Sequence, residues 1–236
     1  MIFINEKIVD NDKNHKRWNM KMKCRLCGSN STEKIKRKED LYYHCKRCDL
    51  IFIDEKEFPS SEEELERYSE HDNTHENEGY VNMFEKFINK TIHPYKEKMG
   101  NEVLEFGCGP GPVLADLLEE KGFRVDKYDP YFFPEKIYKT KKYDLITSTE
   151  VWEHLEKPHE IIELLVDHIK ESGFLAVMTS FHPGIDNFKE WWYPWDPTHI
   201  VFYNENTFKW IAEEFSLNIK YIDGEKYCLF QLPAKQ

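Results

Sequence analysis

Three glycines at alternating positions are the part of this sequence best suited to bind a small ligand. Gly107, Gly109 and Gly111 follow the apolar run at residues 103–106 and lead into an amphipathic helical pattern. Glycines leave the main chain open to close approach, and the helix that follows offers free N–H groups. Asp129 ends a second predicted strand and is placed to bind the hydroxyls of a ribose. The spacing therefore predicts a site for a ligand that carries a ribose.

A second group of polar side chains follows the strand predicted at residues 142–148. Glu150, Glu153 and His154 are three and four residues apart, so a helical turn would place them on one face. Ligands bind at the carboxyl ends of parallel strands, so we expect this group to share a crevice with the glycine turn. Two carboxylates and an imidazole are suitable ligands for a divalent cation.

Four of the six cysteines form two C-x-x-C pairs with seventeen residues between them, Cys24 with Cys27 and Cys45 with Cys48. This spacing is typical of a four-cysteine zinc ribbon, in which two knuckles close a tetrahedral site. A closed four-thiolate site has no open position for a substrate, so we expect the zinc to be structural. The remaining cysteines, expected to be free thiols, are Cys108 and Cys228.

The glycine turn resembles the first motif of class I S-adenosylmethionine-dependent methyltransferases. Its G-x-G-x-G spacing differs from the dinucleotide-binding G-x-G-x-x-G, and an acidic residue precedes it. The resemblance implies S-adenosylmethionine as the cofactor. The cofactor-binding residues that it implies are Tyr80, Glu105, Gly107, Cys108, Gly109, Gly111, Asp129, Pro130, Thr149 and Glu150.

The E-x-x-E-H pattern at residues 150–154 resembles that of two metal-dependent groups, the ubiquinone-pathway O-methyltransferases and the small-RNA 3′-terminal 2′-O-methyltransferases. The second group takes a further histidine from beyond the fifth strand. His199 stands at a corresponding place, and His182 is the competing candidate. Without a metal, His154 or His199 would be the general base for a hydroxyl acceptor. The resemblance implies catalytic roles for Glu153, His154 and His199 and, as an open alternative, Mg²⁺ or Mn²⁺ bound by Glu150, Glu153, His154 and His199.

The methyl acceptor is not defined by these motifs. A small molecule is favoured because the chain carries a net charge of −11 and because the aromatic segment at residues 191–195 could wall a pocket. RNA is the alternative, because residues 1–48 hold 13 basic and 6 acidic side chains, a charge of +7, against 20 and 38 in the remainder. The ribbon resembles those of certain rRNA guanine methyltransferases and of nucleotide-sugar C-methyltransferases. The second group has a large C-terminal domain, and we expect no room for such a domain in this chain. A cofactor-binding protein without catalysis is a third possibility.

Strands and helices alternate from residue 100 onward, which predicts an α/β fold with a doubly wound sheet. The resemblance implies a Rossmann-like class I methyltransferase sheet, mostly parallel with one antiparallel strand, beside a small N-terminal zinc ribbon. Only 13 residues separate Asp129 from Tyr143, too few for the family's usual helix and third strand. The residue that contacts the adenine is therefore not identified, and Tyr131 or Phe132 could pack against it. A helix is predicted from Pro158 to its end at Gly173.

Four regions are predicted along the 236 residues: a flexible arm at 1–20, the zinc ribbon at 21–56, a helical linker or lid at 57–99, and the S-adenosylmethionine-dependent methyltransferase domain at 100–236. In the lid, Tyr80 is expected either to cover the cofactor or to pack in the core. The sequence has no apolar run of about 18 residues and no N-terminal signal pattern. We therefore expect a cytoplasmic protein without membrane contact, and its oligomeric state cannot be read from these patterns.

Overall fold

The computed structural model describes residues 22–70 and 73–235, so the predicted arm at 1–20 lies outside the described residues. The described strands are β1 (Thr32–Arg37), β2 (Asp40–Cys45), β3 (Ile51–Ile53), β4 (Glu102–Phe106), β5 (Arg124–Tyr128), β6 (Tyr143–Thr149), β7 (Ile169–Met178), β8 (Val201–Phe202), β9 (Asn218–Ile222) and β10 (Tyr227–Gln231). The α-helices are α1 (Ser61–Ser69), α2 (Glu78–Phe87), α3 (Val113–Glu120), α4 (Pro158–Asp167), α5 (Ile185–Phe188) and α6 (Glu205–Glu214). A π-helical turn spans Ile88–Ile92, and 3₁₀ turns lie at Glu55–Glu57, His93–Lys98, Ile137–Thr140, Trp152–His154 and Tyr193–Trp195.

The larger sheet has six strands in the order β5-β4-β6-β7-β10-β9. β5, β4, β6 and β7 run parallel, whereas β10 runs antiparallel to both β7 and β9. The predicted α/β fold, mostly parallel with one antiparallel strand, is confirmed. Between Asp129 and Tyr143 the described chain forms a bridge to Phe133 and a 3₁₀ turn, in place of the usual helix and third strand. The short spacing predicts this departure.

Gly173 lies inside a strand, so the prediction that it ends the helix from Pro158 is wrong. α4 ends at Asp167, and β7 already begins at Ile169. Ser172 has a positive φ of 63°, and the register between β6 and β7 shifts near this point. A Cβ on Gly173 would lie 2.9 Å from the carbonyl oxygen of Lys170. Glycine is required because the main chain approaches itself closely at this irregularity, and not because a helix terminates there.

Apolar side chains cover both faces of the six-stranded sheet, as a largely parallel sheet requires. On one face, α2 and α3 pack Phe87 and Leu114 against strand residues such as Val103. On the other face, α4 and α6 contribute Ile162 and Phe208. The result is a three-layer arrangement in which the carboxyl ends of β4, β5 and β6 open at one edge of the sheet.

The predicted ribbon forms a four-stranded sheet in the order β1-β2-β3-β8. Its fourth strand belongs to the methyltransferase region, since Phe52 pairs with Val201 and Ile51 with Phe202. The buried ribbon residues Leu50 and Phe52 lie in the same hydrophobic cluster as Phe202 and Phe208. So small a segment buries little apolar surface by itself, and this shared core supplies what it lacks. The ribbon is therefore continuous with the larger sheet's packing.

Both helices of the predicted linker begin at recognisable caps. Ser60 caps α1 and forms a capping box with Glu63, and the Asn77 side chain accepts a hydrogen bond from Tyr80 at the start of α2. α1 has no buried residue, whereas α2 buries Phe84 and Phe87. Within residues 22–70 and 73–235, every helix is too short or too polar to cross a lipid bilayer.

Candidate functional site

The glycine turn joins β4 to α3 at the open edge of the sheet. Gly107 and Gly109 have positive φ angles of 82° and 64°, which favour glycine. The N–H of Gly107 donates to the carbonyl of Tyr128 at 2.7 Å, which ties the turn to the end of β5. A Cβ on Gly107 would lie only 2.3 Å from the Val151 side chain. The bare main chain thus lets the turn and the segment after β6 touch.

Asp129 organises the turn through its side chain. One carboxylate oxygen accepts from the N–H of Gly109 at 3.0 Å. The other accepts from the N–H groups of Tyr131 and Phe132, at 2.9 and 3.1 Å. Oδ2, the oxygen bonded to Gly109, retains a further lone pair, so these bonds hold the carboxylate in place and leave Oδ2 able to accept from a ligand hydroxyl.

Glu105 is a buried carboxylate beneath the turn, only 2% exposed. It accepts a hydrogen bond from the main chain at Ala115, but its Oε2 atom has no protein partner. Burial, reinforced by the neighbouring charges of Asp116 and Asp129, raises the pKa of Glu105 to about 8. A buried, unpartnered oxygen is costly, so it indicates a position where a ligand could supply the missing hydrogen bond.

The start of α2 lies over the crevice. Tyr80 packs its ring against Phe84 with centroids 4.6 Å apart. Burial and the nearby carboxylates of Glu105 and Glu150 raise the pKa of the Tyr80 hydroxyl. Tyr80 therefore packs on a core residue while it lies close to the two carboxylates, so the two expectations for this residue are compatible.

The polar stretch before α2 also contacts the turn. A Cβ on Gly111 would lie 1.7 Å from the carbonyl oxygen of Asn73. Nearby, His75 contacts the carboxylate of Asp116 in α3 at 2.9 Å. The stretch lies within the helical linker or lid predicted at residues 57–99, and nothing in its polar pattern signals this close packing.

Glu153, His154 and His199 form the second cluster, with donor atoms within 4.8 Å of one another. His154 Nδ1 lies 2.9 Å from the carbonyl of Thr198, and His199 Nδ1 lies 2.8 Å from the carbonyl of Tyr193. A carbonyl only accepts, so Nδ1 carries the proton in both rings and Nε2 of each neutral ring has a free lone pair. Burial, aided by His154, lowers the pKa of His199 and favours that neutral form.

The carboxylate of Glu153 is fully buried, and its Oε2 atom has no protein partner. Its Oε1 atom accepts from the Tyr193 hydroxyl at 2.5 Å and lies 3.9 Å from His154 Nε2. A carboxylate oxygen and two imidazole lone pairs are a donor set suited to a divalent cation. The cluster therefore fits a metal ion on the chemistry of its donors.

Glu150 is outside this cluster but is linked to it. Glu150 has a positive φ of 53°, and its carboxylate lies 3.2 Å from the Tyr193 hydroxyl. Glu150 keeps access to solvent, yet desolvation of its carboxyl group by the surrounding protein and the charge of Glu153 raise its pKa. The predicted fourth ligand therefore contacts the cluster through Tyr193.

His182 is engaged elsewhere. Its Nε2 donates to the carbonyl of Asp49 at 2.8 Å, and its Nδ1 accepts from the N–H of Gly184. With both ring nitrogens occupied, His182 has no lone pair for the cluster. Of the two histidines considered from the sequence, His199 is the one that lies beside His154.

α1 lies across the cluster, a contact that sequence reasoning missed. Tyr68 packs edge-on against His154 with centroids 5.2 Å apart and contacts Tyr131 at 5.8 Å. Arg67 Nε donates to Asp196 at 2.9 Å, which attaches the helix near the His199 loop. The only local signal was the helical spacing of Leu65 and Tyr68, which predicts a helix but not its partner.

The four predicted zinc ligands come together in the ribbon. The Sγ atoms of Cys24 and Cys48 are 3.5 Å apart and those of Cys27 and Cys45 are 3.4 Å apart. Bonds of about 2.3 Å to a tetrahedral zinc would place sulfurs roughly 3.8 Å apart, so the cluster fits such an ion. The two knuckles are alike, since Gly28 and Asp49 each have a positive φ and donate to the first cysteine of their pair.

A family model described as a methyltransferase domain matches residues 70–221. That span is more than half of the chain and contains both the glycine turn and the Glu153 cluster. The chain belongs to the methyltransferase domain family. The identification made from the glycine turn is confirmed.

Curated relatives of this methyltransferase-domain protein carry one name. The chain is 29% identical over 117 residues to "Ubiquinone biosynthesis O-methyltransferase" of Rickettsia canadensis, covering 40% of this chain and 49% of the relative. It is 28% identical over 108 residues to the protein of that name in Glaesserella parasuis, covering 34% and 45%. The chain thus spans about half the length of these relatives.

A solved structure supports the fold of the methyltransferase domain. An O-methyltransferase family protein from Burkholderia thailandensis superposes with a TM-score of 0.52 at 10% identity, over 76% of this chain and 66% of that chain. At this identity the likeness concerns the fold alone.

The remaining cofactor-binding predictions fall at the same edge of the methyltransferase sheet. Cys108 is buried within the turn, Thr149 is buried at the carboxyl end of β6, and Pro130 is exposed beside Asp129. Sequence reasoning thus placed these positions near one crevice. Their roles toward a ligand stay predictions.

Replacing Gly111 by alanine tests how residues 73–77 pack on the turn. We expect Gly111→Ala to lower the free energy of unfolding by about 1–3 kcal/mol, because the new methyl group would overlap the Asn73 carbonyl. Chemical denaturation followed by circular dichroism measures this change. Gly79→Ala is the matched control, because Gly79 lies in α2 and its Cβ would meet only the Asn77 side chain. Equal stability of the two variants would show that the contact is absent in solution.

Proposed function

We propose that this chain transfers a methyl group from S-adenosylmethionine to an oxygen or nitrogen atom of a small molecule. The observation that carries the proposal is the contact between Gly107 and Val151. It puts the glycine turn next to the Glu150–His154 segment, so a cofactor on the turn and an acceptor at the cluster would share one crevice. Proximity of this kind is a large part of what a group-transfer enzyme must supply.

The residues at the turn fit the proposed cofactor. The unpartnered Oε2 of Glu105 could accept from the amino group of the methionine moiety, and Asp129 could accept from the ribose hydroxyls. Tyr80 would cover the bound cofactor, and Tyr131 or Phe132 would pack near the adenine. When bound, S-adenosylmethionine supplies an electrophilic methyl carbon on a sulfonium, and the sulfur keeps the electron pair of the broken bond.

The cluster supplies what a hydroxyl acceptor needs in order to react. Nε2 of His199 could take the acceptor's proton, because the lowered pKa of His199 keeps its ring neutral at pH 7. The geometry gives more support to a divalent cation, because Glu153, His154 and His199 each offer one ligand atom within 4.8 Å of the others. Such a cation would lower the pKa of a bound hydroxyl. Mn²⁺ fits two imidazoles better than Mg²⁺, which prefers oxygen ligands.

The small-molecule acceptor is supported over RNA in part by where two of the ribbon's arginines lie. Arg37 is 3% exposed and donates to main-chain carbonyls of Lys189 and Trp191. The Arg25 side chain is 9% exposed and bonds the carbonyl of Glu156. Two of the arginines that contribute to the ribbon's basic charge are therefore engaged in hydrogen bonds within the protein. The curated relatives, named as ubiquinone biosynthesis O-methyltransferases, agree with a small-molecule acceptor.

We propose that the four cysteines hold a structural zinc ion. Purified protein should contain one zinc per chain by elemental analysis, and Cys45→Ser should lose it, because three thiolates cannot close the tetrahedral site. Cys228→Ala is the control, because Cys228 is a buried thiol outside the cluster. Zinc retained in Cys45→Ser, or lost in Cys228→Ala, would contradict this assignment.

The cofactor assignment is tested by titration calorimetry with S-adenosylmethionine. Asp129→Ala should weaken binding at least about tenfold, because the variant removes an acceptor for the ribose and leaves three N–H groups of the turn without their partner. Glu135→Ala, an exposed carboxylate nearby, should bind as the wild type does. Failure of the wild-type protein to bind would remove the cofactor from the proposal.

The cation is tested separately with Mn²⁺ and electron paramagnetic resonance. Wild-type protein should bind Mn²⁺, and Glu153→Gln and His199→Ala should each weaken binding about tenfold or more while S-adenosylmethionine affinity is kept. His93→Ala, an exposed histidine away from the cluster, is the control.

Methyl transfer from labelled cofactor to fractionated metabolite and RNA pools then identifies the acceptor. Transfer that survives chelation, and whose rate falls as the pH decreases through the lowered pKa of His199, would replace the cation by a histidine base. Steeply salt-dependent transfer to RNA would overturn the small-molecule acceptor. No transfer to either pool would favour a binding protein without catalysis.

A further inference from the structure

Arg37, at the end of β1, is buried although its neighbour in the same strand, Lys36, is exposed. Its guanidinium reaches out of the ribbon into the methyltransferase region. Nε donates to the carbonyl of Lys189 at 3.1 Å, and Nη2 donates to the carbonyl of Trp191 at 2.8 Å. A planar fork can bridge two carbonyls in this way, whereas a lysine ammonium is a single point of attachment.

These carbonyls lie just before the segment at residues 193–200, which orients every member of the Glu153 cluster. The Tyr193 carbonyl fixes the ring of His199, and the Thr198 carbonyl fixes the ring of His154. Glu153 is held twice, by the Tyr193 hydroxyl at its side chain and by the N–H of residue 200 at its carbonyl. The position of segment 193–200 thus decides whether the three donor groups converge.

The ribbon holds the far end of the same segment as well. The N–H of Ile53 donates to the carbonyl of Ile200 at 3.0 Å, and β3 pairs with β8 directly after it. The carboxylate of Asp49 then accepts from the side chains of Asn204 and Asn206, at 2.6 and 2.9 Å. Segment 193–200 is therefore anchored to the ribbon on both sides, with Arg37 as the anchor at its start.

We propose that Arg37 is a positioning residue for the Glu153–His154–His199 cluster, acting through the main chain at residues 189–191. The inference rests on the proposed function where it concerns cation binding, but the anchoring itself does not. It gives the ribbon a role in the acceptor half of the site. Arg37 would touch neither the cofactor nor the acceptor.

The test uses the full-length protein and three variants: Arg37→Ala, Arg37→Lys and, as the matched control, Lys36→Ala. Hydrogen exchange followed by mass spectrometry should show exchange at residues 193–203 at least about tenfold faster in Arg37→Ala, with β4 and β6 unchanged. Mn²⁺ affinity should fall about tenfold, as for other residues that orient metal ligands, while S-adenosylmethionine affinity stays the same. Lys36→Ala should match the wild type in every measurement. Arg37→Lys should restore part of the loss.

Unchanged exchange at residues 193–203 in Arg37→Ala would overturn the inference. If Arg37→Ala speeds exchange throughout the chain, the comparison uses Arg37→Lys, which keeps the charge but loses the planar fork. Exchange at residues 193–203 of Arg37→Lys equal to that of the wild type would then overturn the inference. Equal losses of Mn²⁺ and S-adenosylmethionine affinity would indicate a general role in stability and also overturn it. If wild-type protein binds no Mn²⁺, the cation proposal fails, and the exchange result still tests Arg37.

Discussion

The site depends on one steric constraint, the contact of the bare Gly107 main chain with Val151. Any side chain at position 107 would meet Val151 at 2.3 Å, and the φ of 82° is itself unfavourable for other residues. This contact sets the distance between the turn after β4 and the turn after β6. Neighbouring parallel strands fix the direction of both turns. The polar residues after β4 and those after β6 therefore lie at the same edge of the sheet.

Buried carboxylates give this crevice its chemical character. Glu105 and Glu153 are each almost entirely removed from solvent, and each has one oxygen without a protein partner. Such atoms cost free energy in the folded chain, and folding alone gives no reason to keep them. Glu105 lies beneath the glycine turn and Glu153 lies in the cluster with His154 and His199, the two places that the proposed methyl transfer would use. A bound ligand could relieve the cost of these two atoms.

Sequence patterns predicted the local features well. The glycine spacing and the cysteine spacing are signals contained within a few residues, and each one is formed as expected. Contacts between distant segments carried no such signal. β8 is only two residues long and pairs with a strand some 150 positions earlier, and Arg37 differs from exposed Lys36 only in where the fold places it. Gly173 was misassigned because a glycine after a helical pattern fits both a helix end and a strand irregularity.

The packing of the ribbon changes what its basic composition means. A nucleic-acid module would hold its arginines at the surface, where they could reach phosphates. Here Arg37 is buried and Arg25 is largely covered, and both bond main-chain carbonyls of the larger domain, whereas Arg47 is exposed. The ribbon shares its hydrophobic cluster with that domain, and its strand β3 pairs with β8 directly after the loop that carries His199. Under the proposed function, the ribbon would therefore support the acceptor side of the site and would not act as a separate binding arm.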